Sequence, residues 1–256
     1  MTISKDYFII YVQMIAFILA AGASTRLKPN TLSRHKCLLE IFDNKKIIDI
    51  ELINLRDNGV KDVIIAVGHF KEKIETYVKS NYPDMNFIFV NNEKYASTNC
   101  IYSMWLCRKY LNEDTIFLTG DLIFGSKVMK DMVYSKFSNI MYVNPEAQIN
   151  KNNFKVRIGN NNFIKEIGVN IFDENARIAY PLYKLSKSSM KIWMKEIDNY
   201  IQQDKTNLYG EDAFNNISDK INIMPMYTTD FCMEIDDHED LLEAKMYYKK
   251  NGQPLD

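Results

Sequence analysis

The apolar positions in the first half of the chain fall into short unbroken runs separated by segments with helical spacing. Met14–Ala20 is a continuous apolar run that ends in a glycine turn, as expected of a strand buried on both faces. Ile47–Arg56 reads as a helix closed by Asn58-Gly59, where a left-handed C-cap is expected. Asp62–Val67 is a second buried strand, and Lys71–Lys79 a helix with Ile74, Tyr77 and Val78 on one face. Asn86–Val90 is a third strand. Asn99–Leu111 is a helix that Ser97 or Thr98 can cap, and Thr115–Leu118 a fourth strand ending at Gly120-Asp121. This βαβαβ order predicts a parallel sheet with right-handed crossovers.

The second half is less regular. Phe154–Ile158 and Phe163–Ile167 suggest a hairpin around Gly159–Asn162. A helix over Ser186–Ile201 would bury Met190, Trp193, Met194, Ile197 and Ile201. A short acid- and aromatic-rich segment covers Tyr209–Phe214. Strands near Ile221–Met226 and Phe231–Ile235 precede a final helix over Asp237–Lys249. With no repeat and no linker, the expectation is one domain over 14–256, with a nucleotide-binding half (14–125) and an acceptor-binding half (126–256). Residues 1–13 read as an N-terminal extension. The apolar stretch Phe8–Ala21 is broken only by Gln13. It is too short to span a bilayer, and Lys5-Asp6 is a poor start for a secretory leader.

Charge narrows the partners. A formal net charge of -1 argues against broad nucleic-acid binding. The 4 cysteines have no CxxC spacing and suit a reducing, cytoplasmic setting rather than a zinc site or a disulfide framework. The loop after the first strand concentrates the chemistry. It runs LAAGASTRLKPNTLSRHKCLLEI, Leu19 to Ile41, and carries Arg26, Lys28, Arg34 and Lys36 with no acid between residues 20 and 39. Small residues let a base or phosphate approach the main chain, and the loop sits where parallel sheets bind ligands. Its cations would grip a triphosphate. A solvated basic loop after a βα turn is the plain alternative. Neither a P-loop nor a GxGxxG fingerprint is present.

This loop resembles the signature of sugar-phosphate and alcohol-phosphate nucleotidyltransferases, LAAGxSxRLxPxT followed by KxLxxI. The chain resembles in particular the bacterial phosphocholine cytidylyltransferases of the LicC type, through KYASTNCIYSM (Lys94–Met104), LTGD (Leu118–Asp121) and MEIDD (Met233–Asp237). The resemblance implies an α/β, Rossmann-like (GT-A-like) fold with a mixed, mostly parallel sheet flanked by helices and a small acceptor-binding lobe. It also implies roles. Leu19, Ala20, Ala21, Gly22 and Ser24 would line the nucleotide pocket, Arg26 and Lys36 would carry catalysis on the triphosphate of CTP, and Thr98, Asn99 and Ser103 would meet the base. Asp121 and Asp236 would hold Mg2+. Many relatives have glycine where Ser24 stands and proline where His35 stands, which puts the turn before Lys36 in question.

Several of these residues have structural readings as well. Asp121 can cap the turn after its strand, Asp236 or Asp237 can cap the last helix, and Thr98 or Asn99 can cap the helix that follows them. The second acid of a glycosyltransferase DxD motif is missing from Gly120-Asp121-Leu122-Ile123. An amine-bearing acceptor calls for aromatic faces and carboxylates. Tyr180, Tyr183, Trp193, Tyr209, Glu211, Asp212 and Glu234 are candidates, with Tyr209, Glu211 and Glu234 preferred. The expected reaction transfers CMP from CTP to a small phosphorylated acceptor such as phosphocholine, releasing pyrophosphate. Aminoethylphosphonate, phosphoglutamine or a sugar 1-phosphate are other acceptors, and a non-catalytic nucleotide-binding regulator is the reading outside this class. No membrane insertion is expected, and either a monomer or a homodimer.

Overall fold

The computed structural model describes residues 13–149 and 151–251, so all but the last residue of the expected N-terminal extension lies outside it. The first half is β1 (Met14–Ala20), a hairpin β2 (Glu40–Phe42) and β3 (Lys45–Lys46), α1 (Ile47–Asp57), β4 (Asp62–Val67), α2 (Lys71–Asn81), β5 (Asn86–Asn91), α3 (Cys100–Cys107), β6 (Asp114–Thr119) and β7 (Leu122–Phe124). The second half is α4 (Ser126–Tyr134), β8 (Ile140–Asn144), β9 (Lys155–Ile158), β10 (Ile164–Gly168), β11 (Ala176–Leu185), α5 (Lys187–Gln202), α6 (Gly210–Asn215), β12 (Met224–Tyr227), β13 (Cys232–Glu234) and α7 (His238–Asn251).

One 9-stranded sheet carries both halves. Its path is β10-β9-β11-β6-β1-β4-β5, with β8 on the other edge of β11 and β12 beside β8. β5, β4, β1 and β6 are mutually parallel, and β11 runs against β6, β8 and β9. Since β12 follows β8 and β10 opposes β9, only β10 and β11 run against the rest. The sheet is thus mixed and mostly parallel, as the α/β, Rossmann-like expectation requires.

Burial on both faces explains the unbroken apolar strands. Ala16, Ile18 and Ala20 of β1, with Leu118 of β6, pack under α1, α2 and α4. Phe17 and Phe117 from the same strands point the other way, toward Trp193, Phe214 and Met104 of α5, α6 and α3. There Phe117 stacks on Tyr183 at 5.2 Å and meets Trp193 edge-on at 6.1 Å. Each fully buried large side chain contributes on the order of 1.5–3 kcal/mol.

The expected first-half elements apart from α3 lie close to their bounds, β2, β3 and β7 are additional to them, and Gly59 at φ 83 supplies the left-handed cap after α1. Two corrections concern α3. It spans Cys100–Cys107 rather than running on to Leu111, and its cap is Asn99, whose side chain accepts from Cys100 N at 2.8 Å. The Thr98 and Ser97 hydroxyls turn back to Lys94 O instead. In the second half α4, β8 and β11 are additional to the sequence expectation. β11 lies at the centre of the sheet although Pro181 interrupts it. The proline falls in the register irregularity between Ala179 and Tyr183, where a missing N–H is tolerated.

Candidate active site

β1, β4 and β6 all end on one edge of the sheet, and their ends are small: Ala21-Gly22, Gly68 and Gly120. A Cβ on Gly68 would stand 2.7 Å from Ala21 O and 2.8 Å from Tyr95 Cβ, so the strand ends close up only because that position is glycine. Gly120 N donates to Leu19 O at 2.9 Å, which sets Asp121 beside the signature loop.

Asp121 and Asp236 are brought together by the antiparallel pair β7–β13, in which Glu234 lies opposite Leu122. Ile235 N donates to Asp121 O at 2.9 Å and locks that register. Asp237, not Asp236, caps α7, accepting from Glu239 N at 2.9 Å and Asp240 N at 3.1 Å. The Asp236 carboxylate is therefore left for the cleft.

Lys36 sits in a short helical turn, Lys36–Leu38, that His35 caps by accepting from Cys37 N through Nδ1 at 3.2 Å. His35 has φ −69, a value proline also adopts, so the turn keeps the shape a proline would give it. Burial first, and then the Lys36 charge, lower the His35 pKa to about 4, so its ring is neutral near pH 7. Ser24 takes a left-handed φ of 53, a conformation in which glycine is unstrained, and its Oγ accepts from Lys36 N at 3.2 Å.

From this turn the Lys36 ammonium is bonded to Asp121 Oδ2 and lies 3.2 Å from Asp236 Oδ1. Arg26 reaches the same Asp236 oxygen at 2.6 Å from a largely exposed position. Burial opposes the Lys36 charge, but the two carboxylates outweigh it and raise its pKa. Burial likewise opposes ionisation of Asp121, and Lys36 reverses this and holds its pKa low. The other oxygen, Asp121 Oδ1, is buried with no hydrogen-bond partner among the described residues.

A cleft of about 520 Å³ opens here, lined by Leu19, Gly22, Ser24, Arg26, Lys36, Asn99, Asp121, Tyr209, Glu211, Glu234 and Asp236. An adjoining hollow of about 160 Å³ shares Leu19, Gly22, Lys36, Asn99 and Asp121 and adds Ala21, Thr98 and Ser103. Of the expected site residues only Ala20 lines neither; it is buried under the strand end. Another cavity of about 520 Å³ lies behind the loop, against Arg34, Lys46 and Lys73, and contains none of them.

The far wall differs. Glu211 is buried, accepts from Tyr183 OH at 2.8 Å, and has its pKa raised chiefly by burial. Glu234 accepts from Asn153 Nδ2 at 3.4 Å; burial, then the charges of Asp121 and Asp236, raise it well above the usual range. Tyr209 meets Phe154 edge-on at 5.1 Å. The other acceptor candidates have structural work: Trp193 donates to Gly210 O at 2.8 Å in the core, Asp212 accepts from Tyr209 N at 2.8 Å at the start of α6, and Tyr180 packs on Tyr142. Sequence reasoning missed Asn92, Tyr95, Cys100, Thr119, Lys151, Phe154 and Pro181 as lining residues. Asn92 stands two residues before the KYASTNCIYSM segment and Tyr95 and Cys100 lie within it, and that proximity was the available signal.

A mixed, mostly parallel α/β sheet with cations and paired acids at its carboxyl edge is an arrangement suited to a nucleotide-handling transferase. A family model described as Nucleotidyl transferase matches residues 15–143, and the chain belongs to that family. The chain is 32% identical over 127 residues to a choline-phosphate cytidylyltransferase of Streptococcus pneumoniae, covering 50% of this chain and 53% of that protein. It is 29% identical over 129 residues to a CTP:phosphoglutamine cytidylyltransferase of Campylobacter jejuni, covering 48% and 49%. The matches thus span about half the length of these curated relatives. The solved structure of the CTP:phosphocholine cytidylyltransferase LicC from Streptococcus pneumoniae superposes with a TM-score of 0.77 over 91% of this chain and 98% of that one, at 23% identity, which establishes the shared fold. Among the described residues no helix is long and apolar enough to cross a membrane.

Proposed function

We propose that the protein is a CTP-dependent cytidylyltransferase that transfers CMP to a small phosphorylated amino-alcohol, phosphocholine or a close analogue, and releases pyrophosphate. The observation that carries this reading is the convergence of Arg26 and Lys36 on Asp121 and Asp236 in one cleft. The named activities of the two curated relatives support CTP as the donor.

The acceptor's phosphate oxygen attacks the α-phosphorus in line and pyrophosphate leaves. The nucleophile is already anionic, so no protein base is needed, in keeping with a buried, neutral His35. Lys36 and Arg26 bind the phosphates and offset the charge that grows on them, while the Leu19–Ser24 loop fixes their position. Asp121 and Asp236 suit Mg2+, which takes one or two carboxylates and completes its shell with phosphate oxygens and water. Asp121 Oδ1, buried near the Thr119 hydroxyl and without a hydrogen bond of normal geometry among the described residues, is a ligand atom of the right kind. The ion would supply charge neutralisation at the phosphates. Cleft residues Tyr209 and Phe154 with the Glu211 and Glu234 carboxylates suit a cationic amine better than a neutral sugar, and Lys151 at the same cleft suits the acceptor's phosphate.

The test is pyrophosphate release from each of the four nucleoside triphosphates with Mg2+, using phosphocholine, 2-aminoethylphosphonate, phosphoglutamine and a sugar 1-phosphate as acceptors. Release confined to CTP with an amine-bearing acceptor is expected. Release with no combination would overturn the reading in favour of a nucleotide-binding regulator.

A further inference from the structure

We infer that Asn92 is a specificity-determining positioning residue, which orients the Ser103 hydroxyl so that its proton is offered to the N3 edge of the bound pyrimidine. The inference rests on the proposed use of CTP and on placing its base against Thr98, Asn99 and Ser103, which line the smaller hollow.

Asn92 follows β5 and is almost fully buried. All its polar groups are engaged. Its main-chain N–H donates to Val67 O at 2.7 Å, and its Oδ1 accepts from Lys94 N at 2.9 Å. Because Oδ1 must face that N–H, the amide orientation is fixed, and Nδ2 points at two hydroxyl oxygens. It donates to Thr98 Oγ1 at 3.1 Å and Ser103 Oγ at 3.0 Å.

The two hydroxyls then differ. Thr98 spends its proton on Lys94 O at 2.9 Å, so toward a ligand it can only accept. Ser103 accepts from Asn92 and donates no hydrogen bond among the described residues, although it is nearly buried and lines the hollow. Its proton is a free hydroxyl donor there, as is that of Thr119 at the β6 end of the hollow, and of the two only Ser103 is oriented by Asn92. A buried donor left without an acceptor costs free energy, so a ligand that supplies one is favoured over a ligand that does not. Cytosine presents a lone pair at N3, where uracil presents N–H. A serine held as donor therefore accepts the first and rejects the second. Without Asn92 the Ser103 hydroxyl can rotate and accept, and the discrimination weakens.

The experiment is equilibrium titration of the full chain with CTP, UTP and 3-deaza-CTP, which lacks the N3 lone pair, in the presence of Mg2+. The expected wild-type order is CTP tightest, with 3-deaza-CTP and UTP each weaker by about tenfold or more, the value of one such hydrogen bond. Asn92→Asp keeps the bond to Lys94 N and loses both Nδ2 donors. It should cut the CTP preference by roughly tenfold while the affinity for UTP changes little. Ser103→Ala should give the same loss, and the double variant no more than either alone. If Asn92→Asp does not fold, Ser103→Ala against 3-deaza-CTP still decides, because that variant must bind CTP and 3-deaza-CTP alike. Retention of the full CTP preference in a folded Asn92→Asp or Ser103→Ala variant would overturn the inference. A wild-type protein with no CTP preference would instead remove the base reading on which it stands.

Discussion

The two walls of the cleft push buried acids in opposite directions. On the wall proposed for the phosphates Asp121 and Asp236 face a lysine and an arginine, and the Asp121 pKa is held low despite burial. On the wall proposed for the acceptor Glu211 and Glu234 have no cation bonded to them among the described residues, and their pKa values rise. Burial is the first contribution in both cases; a bonded cation decides the sign. One wall is a charge-balanced array that phosphates and a divalent ion can rearrange. The other is an acidic and aromatic surface that an incoming cation would complete. The largest expected effect therefore lies on the first wall. Lys36→Ala or Asp121→Ala should each lower pyrophosphate release by about 10²–10³-fold or more, since each removes a group acting on charge that develops at the phosphates. Circular dichroism should report an intact fold. Near-normal turnover in either variant would remove the distinction between the walls.

A milder change separates the second wall. Glu211→Gln is nearly isosteric and can still accept from Tyr183 OH, so it alters the charge and little else. The KM for a cationic acceptor should rise by roughly tenfold, with the KM for CTP unchanged. The pH response follows from the raised pKa. As pH climbs through that raised value Glu211 ionises, so the wild-type acceptor KM should fall with pH, and the variant should lack this drift. Stability runs the other way. The folded protein holds the Glu211 proton above the ordinary value of 4.5 at which the unfolded chain releases it. The contribution of that protonated group is complete below 4.5 and is lost as pH rises toward the folded value. At neutral pH the variant should melt above the wild type, at roughly 2–4 °C per kcal/mol recovered for a chain of this size. An equal or lower melting temperature, with an unchanged acceptor KM, would mean that Glu211 is only a core residue.

How much of this was legible in the sequence differs between the walls in the same way. The phosphate wall was readable because it is local. One loop holds Arg26 and Lys36, and a strand end followed by glycine announces Asp121. The acceptor wall is assembled from the segment before β9, β11, α6 and β13, parts far apart in the chain, so spacing could not select Phe154 or Pro181. The strand β11 was hidden because a proline inside an apolar run argues against a central strand, and only the register irregularity around Pro181 accommodates it. Asn92 escaped because its bonds to the Lys94 main chain and to the Thr98 and Ser103 hydroxyls leave no mark in spacing or periodicity. Asp236 and Asp237 were equivalent candidates for a helix cap until the β7–β13 register gave the cap to Asp237.

The smallest expected effect asks whether the phosphate wall owes its order to side-chain locks or to the main chain. Ser24 occupies a left-handed φ of 53, which costs a non-glycine residue about 1–2 kcal/mol. Its Oγ recovers part of this by accepting from Lys36 N, a bond worth about 0.5–1.5 kcal/mol. Ser24→Gly would relieve the strain, lose that bond, and add about 0.5–1 kcal/mol of backbone entropy to the unfolded chain. These contributions nearly cancel, so the melting temperature should move by no more than about 4 °C. The loop should still present its N–H groups to phosphate, because Thr31 Oγ1 bonds to the main-chain Ser24 O at 2.7 Å whatever side chain residue 24 carries. The KM for CTP should then rise by less than about threefold, the effect of losing a fraction of one hydrogen bond. A loss of a hundredfold or more, as for Lys36, would place the Ser24 hydroxyl on the triphosphate itself and make the side-chain lock, rather than the strand end, the organiser of this wall.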